Sequence, residues 1–229
     1  PRHGTGAFVQ GGFRGNLAYV GLPAITLALT GADGAIDPAV RTLAVLALAL
    51  IVPIYNIVAV VVLVASGGAA AGQPPEARTA YLRKLGVALV TNPFIVACLA
   101  GLLFAVSGWE LPAIVARTCA TLGQMTTPLA LLGVGATLSL TALRGRWAQA
   151  AGAALVKVGV APLVGYLLVT VFGLSPIELR IAMIYLATPT ATASYVMAGQ
   201  LGSDEQLAGA IIVLSTILSL PALAISLSV

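Results

Sequence analysis

Charge is absent from long stretches of this chain. Its 11 Lys+Arg and 7 Asp+Glu are spaced so that residues 15–32, 42–75, 85–109, 118–143, 181–203 and 206–229 carry none. A seventh stretch, 147–177, carries only Lys157. A helix rises about 1.5 Å per residue, so about 20 apolar residues cross a hydrocarbon core about 30 Å thick. Each run has about that length or more. Backbone groups in lipid have no water to bond, and a helix satisfies them within one segment. The expectation is an all-α polytopic membrane protein with seven transmembrane helices, near 7–30, 42–65, 85–106, 121–142, 148–172, 181–200 and 206–228. With 8% charged residues, 59% hydrophobic residues and a mean hydropathy of +1.05, a soluble domain, about a quarter charged, is excluded.

Connections between such spans alternate between the two sides of a bilayer, which makes the basic residues a topology marker. One face collects Arg2, Arg14, Arg78, Arg83, Lys84, Arg144 and Arg146; the other holds Arg41, Arg117 and Arg180. Cytoplasmic loops carry the excess of Lys and Arg. The first face is therefore expected to be cytoplasmic and the C-terminus external, and the net charge of +4 reports topology rather than nucleic-acid binding. The glycine-, alanine- and proline-rich stretch 67–83 reads as a flexible cytoplasmic linker. Cys98 and Cys119 read as reduced thiols in or beside apolar runs. With His3 the only histidine and no Cys-x-x-Cys, neither a metal nor another cofactor is expected.

Two spans are interrupted in matching ways. The first carries Asn16, Gly21 and Pro23; the sixth carries Thr188, Pro189, Thr190, Thr192 and Ser194. An internal proline removes a donor and clashes with the carbonyl four residues back, freeing backbone polar groups in mid-membrane. Either span alone reads first as an ordinary kink healed by neighbouring hydroxyls. Matching breaks in two halves point instead to inverted-repeat transporters, whose half-helix ends meet a substrate near the midplane. Pro23 and Pro189 are each followed by an apolar stretch, an acidic turn (Asp33, Asp204) and a long apolar span with its own proline (Pro53, Pro221). Residues 1–66 then read as the last two helices of a first repeat, with a broken crossover helix near 7–30. Residues 84–229 read as a complete second repeat of five, with its crossover near 181–200, and about three helices would precede residue 1.

These residues resemble the auxin efflux carrier family, which includes plant auxin exporters and bacterial permeases for small organic anions. The resemblance rests on Phe13, Arg14, Gly15 and Asn16 leading to Gly21, Leu22 and Pro23. It also rests on Pro53 with Tyr55 and Asn56, Thr91 to Pro93, Pro128 to Gly133, Lys157 five residues before Pro162, and Ala187, Thr188 and Pro189 through Ser215 to Ser219. It implies two inverted five-helix repeats whose proline-broken helices cross, a cytoplasmic linker, an external C-terminus and location in the cell membrane.

Individual residues leave alternatives open. Asn16 offers amide donors to a carboxylate, or staples two helices; in the family an asparagine at this offset contacts the substrate carboxylate. Lys157, the one charge well inside a span, costs about 2.5–3.5 kcal/mol at a helix centre. It attracts the anion, caps carbonyls at a half-helix end, or snorkels. Arg14, nearer the cytoplasmic edge, reads first as snorkelling and second as steering anions. Thr188 and Thr190 satisfy freed carbonyls or line a polar site, and Tyr55 and Asn56 add hydrogen bonds from the neighbouring wall or form a common interhelical contact. The candidate substrate-binding set is Asn16, Gly21, Pro23, Tyr55, Thr188, Pro189 and Thr190, with Lys157 as the charge or coupling candidate.

No phosphate-binding GxxxxGK[ST] occurs, and all seven acidic residues lie at or beyond span ends, so ATP hydrolysis and intramembrane acid catalysis are not expected. The expected function is a secondary transporter, not an enzyme, for a small mono- or dicarboxylate. The alternative is a non-transporting sensor or scaffold with the same fold. The expected partners are the anion, the bilayer and a second copy of the chain.

Overall fold

The computed structural model describes residues 2–31, 36–67, 83, 86–87, 90–91, 93–137 and 145–228. Nearly all of the expected 67–83 linker, together with Asp33, Lys84, Asn92, Arg144 and Val229, lies outside the described residues. Among the described residues the elements are helical: α1 (Arg2–Phe13), α2 (Leu22–Ala28), α3 (Pro38–Gly67), α4 (Pro93–Ser107), α5 (Ala113–Thr137), α6 (Trp147–Leu155), α7 (Ala161–Phe172), α8 (Pro176–Ala187), α9 (Ala193–Gln200) and α10 (Glu205–Ser228). Single π-helical turns, Leu17–Gly21 and Val156–Val160, lead into α2 and α7. Three segments are long and apolar enough to cross a membrane, Pro38–Ser66, Trp147–Phe172 and Glu205–Ser228; Leu17–Ala28 and Ile95–Ser107 are shorter apolar helices.

Prolines act differently in different elements. Pro53, Pro128 and Pro221 sit inside α3, α5 and α10, which remain continuous. Pro23 and Pro162 instead sit at the second positions of α2 and α7, directly after a π turn that runs into each helix. Each follows a π turn with wider i→i−5 bonding: Gly21 N donates to Asn16 O at 3.1 Å, Leu22 N to Leu17 O and Ala161 N to Val156 O. The extra residue in the turn relieves the crowding that a proline imposes on the preceding carbonyls.

Helix α8 starts with a capping box. The Ser175 hydroxyl accepts from Glu178 N, and the Glu178 carboxylate accepts from Ser175 N–H at 2.7 Å. Those bonds hold Glu178 below the usual carboxylate range.

Small residues set the packing. Ala7 of α1, Ala150 and Ala153 of α6, Ala198 of α9 and Ala208 of α10 are all buried in one cluster, which lets four helices approach closely. A second cluster joins α2, α3 and α8 through Ile25, Ala44 and Ile184, and a third joins α3, α4 and α9 through Val60, Ile95 and Met197. At one end of the bundle, Arg146 pairs with Asp204 at 2.6 Å, and Gly6 lies against Ser66 and Ser203. Away from that end, the Tyr185 hydroxyl donates to Ala44 O at 2.8 Å.

Candidate functional site

Two interrupted helices meet at the centre of the fold. Helix α1 stops at Phe13, and residues 14–16 run non-helical into the π turn; α8 stops at Ala187, and residues 188–192 lead to α9. The two breaks lie antiparallel, with Gly15 opposite Thr190. Asn16 N donates to Pro189 O at 2.8 Å, and Ala191 N donates to Arg14 O at 2.9 Å. Each break thus satisfies backbone groups that the other helix has left open, as a mid-membrane interruption requires.

Side chains complete the crossing. Thr190 Oγ1 donates to Gly11 O, one of the last carbonyls of α1, at 2.7 Å, while Thr190 N donates to Ser215 Oγ at 3.0 Å. Thr188 Oγ1 donates to Tyr185 O at 2.6 Å. Lys157, only 1% exposed, donates from Nζ to Leu186 O at 2.6 Å. A cation there meets the negative end of the α8 dipole. Two glycines permit the approach. A Cβ on Gly15 would lie 2.7 Å from Thr188 Oγ1 and 3.1 Å from Lys157 Cε, and one on Gly21 would lie 2.5 Å from Tyr185 Cδ1.

Beside the crossing lies a cavity of about 450 Å³. Arg14, Asn16, Tyr55, Asn56, Cys98 and Thr192 are among its walls. Arg14 is 5% exposed; its guanidinium donates to Asn56 Oδ1 at 2.5 Å and to Met197 Sδ at 2.8 Å. Asn56 Nδ2 donates in turn to Cys98 Sγ at 3.5 Å. Phe13 meets the Tyr55 ring edge-on, with centroids 5.7 Å apart. The side chain of Asn16 makes no capping bond to the turn that follows it, and the N-terminal turn of α9 reaches the same cavity through Thr192 and Ala193. The site therefore combines one buried cation, two amides and a helix N-terminus around a largely apolar space, a set suited to an organic anion. No group of three or more metal-ligating side chains forms among the described residues.

The residues singled out from the sequence divide into two sets. Asn16 and Tyr55 line the cavity. Gly21, Pro23, Thr188, Pro189 and Thr190 do not; all but Pro23 shape or bond the crossing itself. Pro23 stands seven residues past Asn16, inside α2, so the first break falls at 14–16 rather than at the proline. Snorkelling by Arg14 is not observed, because Asn56 and Met197 hold its head group inside the fold. Lys157 takes the capping option. Asn56, which interrupts the second span beside Tyr55, joins the site as well; Cys98 and Met197 joined it without a sequence signal of their own, since only the packing of α3, α4 and α9 brings them to Arg14 and Asn56.

The sequence matches the family described as "Membrane transport protein" over residues 26–227. The chain belongs to the membrane transport protein family. This is the auxin efflux carrier family whose motifs the sequence carries. The chain is also 30% identical over 218 residues to a protein of Rhizobium meliloti (strain 1021) named "Putative malonate transporter". That match covers 93% of this chain and 64% of the relative, so this family member spans less than two thirds of that protein's length. No solved structure matches it.

Proposed function

We propose that the chain forms the crossing core of a secondary carrier that moves a small mono- or dicarboxylate across the cell membrane by alternating access. The observation that carries the reading is the antiparallel bonding of two broken helices at Gly15 and Thr190, beside a cavity that presents Arg14, Asn16 and the start of α9. Half-helix ends facing a mid-bilayer site are how inverted-repeat carriers hold ions and anions. The name of the Rhizobium meliloti relative agrees with a carboxylate. In this reading Asn16 and Tyr55 bind substrate, Gly21, Thr188, Pro189 and Thr190 shape the crossing, and Lys157 stabilises it.

The same reading takes residues 1–66 as the end of one five-helix repeat and 84–229 as a second, giving seven spans. It is supported by a shared order, half-helix, break, half-helix, long proline-containing helix, in α1 to α3 and again in α8 to α10. The Arg146–Asp204 pair and the meeting of Gly6 with Ser66 and Ser203 suit an arrangement in which those connections share the cytoplasmic face, the 67–83 linker is cytoplasmic and the C-terminus is external.

Flux into proteoliposomes containing the purified full chain tests the function. A carrier shows saturable malonate uptake and counterflow, in which unlabelled internal substrate accelerates entry of labelled substrate. Uptake without saturation or counterflow would mark a pore, and no uptake of any carboxylate would leave a sensor or scaffold.

A further inference from the structure

Lys157 is buried at a point of the crossing where a dissolved ion could also bind. Its side chain is 1% exposed and donates from Nζ to Leu186 O at 2.6 Å. That carbonyl belongs to the last turn of α8, which ends at Ala187 beside the second break. In carriers built from discontinuous helices, half-helix C-terminal ends and unwound carbonyls hold the Na+ that couples transport to an ion gradient. We infer that the Lys157 ammonium takes the place of a coupling Na+, so that the carrier works without sodium. This rests on the carrier reading above.

The end of α8 is chemically suited to a cation. The last carbonyls of a helix have no donors from a following turn, and the aligned peptide dipoles place about half a negative charge there. A Na+ and an alkylammonium each bring one positive charge to such oxygens. The bond from Lys157 is short for N–H···O, as an ionised donor makes it. A second oxygen lies close by: a Cβ on Gly15 would meet both Thr188 Oγ1, at 2.7 Å, and Lys157 Cε, at 3.1 Å. The backbone brings the ammonium to this point. Lys157 sits in the buried part of the π turn Val156–Val160, and Gly165, in the helix that follows, lies against the Leu186 side chain. Because the charge is tethered by its own stem, it cannot be drawn from solution or released. It therefore compensates the end of α8 throughout transport and dissipates no gradient.

The test compares malonate uptake in sodium chloride with uptake in choline chloride, whose cation is too bulky to sit among carbonyls, in proteoliposomes containing the purified full chain. Wild-type uptake should be equal in the two salts. Lys157→Ala should lose about tenfold in choline, and Na+ or methylammonium should restore much of that loss with saturation. Thermal unfolding in detergent gives a readout that needs no transport. Na+ and methylammonium should raise the midpoint of Lys157→Ala by several degrees and leave wild type where choline leaves it. Lys157→Gln keeps a donor for Leu186 O without the charge, and in choline it should be as impaired as the alanine variant. Wild-type uptake that falls in choline would overturn the inference. So would a Lys157→Ala protein that responds to neither small cation, whether folded or not, and so would wild-type uptake by Lys157→Gln in choline. Absence of malonate uptake by wild type in both salts would overturn the carrier reading and the inference with it; the other results overturn the inference alone.

Discussion

The two threonines of the second break give a sharp test of how the crossing is held. Replacing Thr190 with valine keeps nearly the same shape and leaves the bond from Thr190 N to Ser215 in place. It removes the hydroxyl that donates to Gly11 O at 2.7 Å. That carbonyl belongs to the last turn of α1, where no following helical turn provides a donor. Stranding a buried acceptor costs about 1–3 kcal/mol. Replacing Thr188 with valine removes a hydroxyl of similar burial, but Tyr185 O still accepts from Thr188 N at 3.4 Å. Its cost should stay below about 1 kcal/mol. For a chain of this size each kcal/mol moves the midpoint of thermal unfolding by about 2–4 °C. Thermal unfolding in detergent should therefore show Thr190→Val lowered by several degrees and Thr188→Val much less. Equal shifts, or a larger one for Thr188→Val, would refute the claim that Thr190 closes the end of α1.

Gly15→Ala should impair transport, because its Cβ would meet Thr188 Oγ1 at 2.7 Å and Lys157 Cε at 3.1 Å at the crossing itself; wild-type uptake would contradict this. Pro23→Ala should be mild, within about 1 kcal/mol of wild-type stability and with substantial transport, since Pro23 lies in the first turn of α2; loss of uptake with normal folding would place the functional break at the proline after all. Glu178 has a depressed carboxyl pKa, so its contribution to the start of α8 is present at neutral pH and is lost as pH falls through the folded-state value. Amide-exchange protection factors, in which the intrinsic pH dependence of exchange is divided out, should fall at the first turn of α8 on acidification, and Glu178→Gln should remove that fall.

Much of this arrangement was legible in the order of residues. Charge-free runs marked the apolar helices, and Pro23 and Pro189, the latter among threonines, marked both interrupted segments. Asn16 stood out by type and spacing, and Lys157 by the cost of placing an ammonium mid-span. The position of the first break was not legible, because a π turn between Asn16 and Pro23 moves the proline out of the interruption and into the next helix. Nor was the burial of Arg14. Whether a long cationic side chain snorkels or stays inside depends on what surrounds it. Here that is Asn56, 42 positions away, and Met197, 183 positions away. The separation of Thr188 and Thr190 from the cavity has the same origin. Their hydroxyls could have lined a polar site or capped carbonyls, and only the positions of Gly11 O and Tyr185 O decide between these.

Cys98 offers a native reporter for the central claim, that substrate occupies the cavity at the crossing. It lines that cavity beside Asn56, and Cys119, which is exposed, is removed by Cys119→Ser. The rate at which a small thiosulfonate modifies Cys98 is then measured in the full chain across a malonate titration, with binding followed in parallel by calorimetry. Malonate should slow modification with the same concentration dependence as binding, and Asn16→Ala should shift both curves together to higher concentration. An unchanged modification rate at malonate concentrations that saturate binding would place the substrate elsewhere and contradict the account.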